Sequence, residues 1–137
     1  MADNKLKLKI ITPEKILVDE DNVTAVYARA VDGELGILPG HIPYMTALEI
    51  AVTRYFVGDK EEYVSVIGGI LQVGAGEVVL LSDQAELGKD IDVSRANAAK
   101  ERAEARLRSG KKEVDIHRAE IALARAIARI KAASRSR

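Results

Sequence analysis

The chain has 137 residues, 47% of them apolar but only 4% aromatic, with no Trp and no Cys. Its core must therefore come from Val, Ile, Leu and Ala, and disulfides and thiolate metal sites are excluded. A formal net charge of +0 hides an acidic stretch, residues 1–90 with 8 Lys/Arg against 15 Asp/Glu, and a basic one, residues 91–137 with 13 against 6.

Leu6, Leu8 and Ile10 alternate with Lys5, Lys7 and Lys9, the pattern of a half-buried strand with one wet face. Pro13-Glu14 ends it, Ile16-Leu17-Val18 begins a short run, and Val23 to Val31 reads as a longer strand turned by Asp32-Gly33. The polar stretch Gly58 to Glu62 separates Tyr55-Phe56-Val57 from Tyr63-Val64-Ser65-Val66, which is a hairpin pattern. Gly68-Gly69 and Gly74-Ala75-Gly76 punctuate two further strands, Ile70 to Val73 and Val78 to Leu81. Short strands at this spacing predict a sandwich or barrel.

After Leu87-Gly88-Lys89 the composition changes to Ala, Arg, Glu and Lys, all strong helix formers. The charge split falls at the same place, so two pieces with different roles are expected. Asp92 is a good N-cap, and Val93, Ala96, Lys100, Ala103 and Leu107 fall on one stripe of the helix it starts. Ser109 to Lys112 is a break. Asp115 is expected to cap a second helix, whose stripe is Ile116, Ala119, Leu123, Ile127 and Ile130. The prediction is an α+β chain: an N-terminal β-sandwich over residues 1–87, followed by a C-terminal antiparallel two-helix hairpin over 88–137. A seam of Ala against Leu and Ile buries little area, so the hairpin should open readily.

The opening Met1-Ala2-Asp3-Asn4 has no charged lead and apolar core, so no signal peptide is expected. No apolar run approaches the ~20 residues that span a bilayer. A soluble, cytoplasmic protein without direct membrane insertion is expected, reaching any membrane through a partner. GxxxxGK[ST] is absent, and no Ser-His-Asp or Cys-His arrangement is available, so nothing supports catalysis. His41 and His117 lie far apart with no third ligand pattern. His41 is read as a structural histidine in a Pro-flanked turn, and no metal site is expected.

The segment Asp90 to Ala96 reads as I/L-D-x-x-R-A at the mouth of the first helix. A hairpin folded about residues 110–111 sets Arg125 opposite Ala96 and Arg129 opposite Asp92. Arg95 and Arg102 share a helical face, as do Arg125 and Arg129. Four guanidiniums gathered at a helix N-terminus repel one another unless an anion or carboxylate sits among them. Glu86 and Asp92 offer acceptors for an amino group or ribose hydroxyls. Solvated arginines on a wet face are the plainer alternative.

The most specific stretch is Gly33 to Pro43, GELGILPGHIP, with turn glycines, a short apolar strand and a rigid Pro-Gly-His-Ile-Pro corner. Together with Thr12-Pro13-Glu14 and the later Ile67 to Val73, it resembles the signature of the epsilon subunit of bacterial F-type ATP synthases. The likeness spans essentially the whole chain. It implies a non-catalytic subunit whose sandwich docks on the gamma subunit and the c-subunit ring, at the cytoplasmic face of the cell membrane. The hairpin is similar to that of thermophilic bacilli, where it binds ATP as a regulatory ligand. Glu86, Asp92, Arg95, Ala96, Arg102, Arg125 and Arg129 stand at the matching positions. The resemblance implies no catalytic cofactor and leaves Mg open. It also implies a switch. Folded on ATP, the hairpin permits turnover; extended, it meets the alpha and beta subunits and inhibits hydrolysis. Two other classes fit the basic hairpin: a nucleic-acid or polyanion adaptor, and an ATP sensor outside any motor. The adaptor is disfavoured because the tail lacks interleaved aromatics and mixes acids among its bases.

Overall fold

The structure is a computed structural model, described over residues 4–110 and 112–137, with the side chains of 113 and 114 left aside. Seven strands precede two helices. They are β1 (Leu6–Ile11), β2 (Ile16–Ala30), β3 (Gly33–Ile37), β4 (Tyr44–Val57), β5 (Lys60–Gly74), β6 (Glu77–Leu81) and β7 (Ala85–Leu87). A 3-10 turn at Gly88–Asp90 leads into α1 (Val93–Arg108) and α2 (Glu113–Arg135).

The strands run in the order β1-β6-β5-β4-β2-β3, and β1 also pairs with β2, so the sheet closes on itself as a flattened barrel with the layers of a sandwich. Alternation does the sorting. Leu6, Leu8 and Ile10 point inward and are essentially unexposed, while Lys7 and Lys9 stand half-buried outside. Val26, Ile37, Val64, Val66, Leu71 and Leu80 complete the same aliphatic core. Closure leaves only the short β3, paired with β2, and β7, paired with β5, to present free edges among the described strands.

Three strand readings change. Residues 16–30 form one strand, because irregular register against β1 and β4 bends the chain without ending it. Gly68-Gly69 does not separate two strands: β5 keeps one register with β4 from Tyr44↔Val73 to Val57↔Lys60. The glycines serve a crossing instead. Gly69 has φ 144°, and a Cβ there would collide with the Leu81 carbonyl oxygen and sit 3.2 Å from Ser82 Cα. At this point β5 exchanges its second neighbour, pairing with β6 over Ile70–Gly74 and with β7 over Val64–Val66. The short β7 has no sequence pattern of its own and was not expected.

The helices follow. Asp92 caps α1 as predicted, its Oδ1 accepting from the Arg95 backbone N–H at 3.1 Å. Ala96 and Ala103 are its buried residues. The second helix begins earlier than expected: Lys112 occupies the N-cap without a side-chain bond, and Asp115 lies inside the first turn. Its buried positions are Ala119, Ala126, Ala128, Ala132 and Ala133, while Leu123, Ile127 and Ile130 are only half-buried. The seam is therefore alanine on both helices, with the larger residues flanking it. At its open end α2 meets the sandwich, where Ile91, Ala132 and Ala133 form a second small core with Val52, Tyr63 and Val93.

Candidate functional site

The two helices and β7 meet around a cavity of about 330 Å³ at the N-terminal end of α1. Arg95, Ala98, Ala99 and Arg102 line it from one helical face, with Asp92 and Ala96 beside them. Glu86 contributes from β7, Arg129 from α2, and Ile91 from the segment leading into α1. The wall is thus two exposed guanidiniums flanking a floor of methyl groups, above a helix N-terminus. That combination favours a ligand with both an anionic and an apolar part.

Six of the seven residues expected at a site come together here: Glu86, Asp92, Arg95, Ala96, Arg102 and Arg129. Arg125 does not line the cavity. It lies exposed on α2, one turn before Arg129. Ala98 and Ala99 were not anticipated, although their spacing with Arg95 and Arg102 (i, i+3, i+4, i+7) marks a single helical face.

The expected repulsion among guanidiniums is relieved in part by the chain itself. Arg129 Nε donates to Glu86 Oε1 at 2.7 Å, with side-chain exposures of 28% and 44%. Both predicted acceptors are accordingly engaged, Glu86 by Arg129 and Asp92 by the α1 cap. Arg95 and Arg102 have no ion-pair partner among the described residues. Both line the cavity with no side-chain hydrogen bond among the described residues.

A second polar cluster lies on β4 and β5. Arg54 Nη1 donates to Glu61 Oε2 at 2.8 Å, and its guanidinium sits 4.3 Å from the centre of the Tyr27 ring. The Tyr63 hydroxyl and the Arg54 guanidinium together hold the Glu61 carboxyl below its ordinary value. The same carboxylate, with burial, raises Tyr63. Elsewhere His41 Nδ1 lies 2.6 Å from the Ile42 carbonyl oxygen, and its backbone N–H donates to Leu38 O, which are turn contacts. Among the described residues no group of three or more His, Cys, Asp or Glu is placed to hold a metal. No described helix is long and apolar enough to cross a membrane.

Residues 5–88 match the family model of the ATP synthase delta/epsilon chain beta-sandwich domain, and residues 89–134 match that of its long alpha-helix domain. The chain belongs to the ATP synthase delta/epsilon chain family. It is 48% identical over 107 residues to the ATP synthase epsilon chain of Carboxydothermus hydrogenoformans, covering 78% of each. With the epsilon chain of Desulforamulus reducens it shares 51% identity over 103 residues, 75% of this chain and 77% of the relative. Among solved structures, a chain of the Euglena gracilis mitochondrial ATP synthase superposes with TM-score 0.80 at 26% identity, covering 95% of this chain and 81% of that one. A chain of the Tetrahymena thermophila mitochondrial ATP synthase central stalk and c-ring superposes with TM-score 0.61 at 14% identity, covering 93% and 96%, a likeness of fold. As an epsilon chain this is a non-catalytic subunit of the ATP synthase.

Proposed function

We propose that this epsilon chain is a regulatory subunit of the ATP synthase central stalk, at the cytoplasmic face of the membrane, whose helical hairpin binds ATP when folded. The observation that carries the reading is the cavity with Arg95 and Arg102 uncommitted at the N-terminal end of α1. Phosphate oxygens suit those guanidiniums and the helix dipole, and the floor of Ala96, Ala98 and Ala99 suits the flat face of a base. ATP supplies the negative charge that lets the arginines stay close. A ligand touching both helices stabilises only the folded arrangement, so it shifts the hairpin toward that state.

Extended, the same hairpin presents its basic faces to the alpha and beta subunits and resists rotation in the hydrolysis direction. The alanine seam supports such opening, because each methyl buried contributes only about 0.8 kcal/mol. Docking to the gamma subunit and the c-ring falls to the sandwich. Val31 of the β2–β3 turn, Ala47 of β4, Ile70 of β5 and Leu81 of β6 lie side by side across the sheet and all are exposed. An apolar row crossing four neighbouring segments is a surface made to be covered.

Titration calorimetry of the isolated chain with ATP tests the nucleotide reading. Arg102→Ala is expected to raise the dissociation constant roughly ten- to hundredfold, as loss of a charge-assisted bond requires. Arg125→Ala, outside the cavity, is expected to change it less. An Arg102→Ala chain that binds as tightly as the parent overturns the site.

A further inference from the structure

The last turn of α2 packs against the 3-10 turn at Gly88 more closely than any side chain there would permit. A Cβ built at Gly88 collides with Ser136 Oγ and the Ala132 carbonyl oxygen, and lies 2.8 Å from the Ala132 carbonyl carbon. Two of those atoms are backbone, so no change of rotamer makes room. Gly88 is not among the glycines with positive φ, so its backbone does not demand glycine. Proximity alone does.

The contact is well supported on the α2 side. Ala132 and Ala133 are fully buried, Ser136 Oγ donates to Ala132 O at 2.8 Å, and Arg137 Nη1 donates to Ala133 O at 2.9 Å. Ala132 also stands three residues after Arg129, on the same side of the helix. Gly88 stands two residues after Glu86. The seat at Gly88 therefore fixes how near α2 approaches β7, and with it the 2.7 Å bond from Arg129 to Glu86 that closes one wall of the cavity.

We propose that Gly88 is a positioning residue for the nucleotide cavity: its missing side chain lets the end of α2 seat against the sandwich and so assembles the site from its two halves. The seat is a property of the chain without ligand, whereas its consequence for ATP rests on the function proposed above.

The chain has no Cys, so spin labels at Asp83→Cys on the sandwich and Glu120→Cys on α2 report docking without competition. Both positions are exposed. Gly88→Ala is expected to lower the docked fraction roughly tenfold or more, the usual consequence of overpacking, and to broaden and lengthen the label distance. ATP affinity should fall by a similar factor, because ATP must then first restore the docked state. Thermal melting of the sandwich should not move. Gly74→Ala is the control, since a Cβ there meets nothing within 4 Å and its φ is not positive. Ala132→Leu overpacks the seat of the same turn of α2 against Ile91 with a residue that keeps α2 helical, and it decides the matter if Gly88→Ala does not fold. Label distances and ATP affinity unchanged in Gly88→Ala and Ala132→Leu overturn the proposal. Undocking by both variants, with no ATP binding by the parent chain, upholds the seat and overturns the nucleotide reading alone.

Discussion

Glu61 sits where charged and polar groups from three elements meet: Tyr63 on its own strand, Arg54 across the hairpin on β4, and Arg135 at the end of α2. Tyr63 and Arg54 hold its carboxyl below the ordinary value, so its folded state prefers the ionised form. A carboxylate with a depressed folded pKa stabilises the fold above its unfolded value, near pH ~4.3 for Glu. That contribution is lost as pH falls through the folded value. Glu61→Gln is therefore expected to be less stable than the parent at neutral pH, with the difference closing in acid, as urea melts over a pH series would show. A difference independent of pH would assign the effect to packing. At this scale the sequence was legible wherever the interaction is local. Asp92 caps α1 by bonding three residues ahead, which a short motif discloses. The pair Arg129–Glu86 spans 43 residues, and no short pattern could have predicted that Glu86 would meet a guanidinium rather than await a ligand.

Among the elements, period-two alternation located most of the strands, because one face of each is buried and the other wet. It failed at Gly68-Gly69, where glycine answers to a neighbouring strand rather than to a turn. It also failed at β7, three residues whose place is set by pairing with Val64–Val66. In α2 the expected stripe shares Ala119 with the observed seam, but its Leu123, Ile127 and Ile130 are only half-buried while Ala126 is fully so. Ala119 and Ala126 repeat the heptad spacing of Ala96 and Ala103, and small side chains fill a close helix contact that larger ones would prop open. Shape thus outweighed apolarity in choosing the buried face. A leucine at the seam should reveal this. Ala103→Leu is expected to weaken closure of the hairpin by about 1–3 kcal/mol. Hydrogen exchange should quicken in α1 and α2 while β4 and β5 keep their protection. Equal loss of protection in helices and strands would mean that the two units open as one.

At the scale of the whole molecule the charge split in the sequence falls on the two structural units: an acidic β unit, a basic hairpin, and Glu86–Arg129 as an ion pair between them. The unit boundary was readable from composition, but the apolar row proposed as the docking surface was not, since it assembles from residues 31, 47, 70 and 81 only after folding. Val31 is 61% exposed, Ile70 47% and Leu81 44%, and Ile70 stands directly opposite both Ala47 and Leu81. A carboxylate at the centre of that row has water to solvate it in the free chain. In the proposed docking it loses that water, and among the row's side chains it finds no cation to replace it. Ile70→Asp should leave melting within about 0.5 kcal/mol of the parent, as exposed substitutions usually do. Its affinity for the gamma subunit should fall roughly tenfold or more, the size of effect seen when a central apolar contact is lost. Asp59→Lys, on the exposed β4–β5 turn, should bind normally. Reconstitution with purified gamma subunit measures both variants, and undiminished binding by Ile70→Asp would move the docking surface elsewhere on the sandwich.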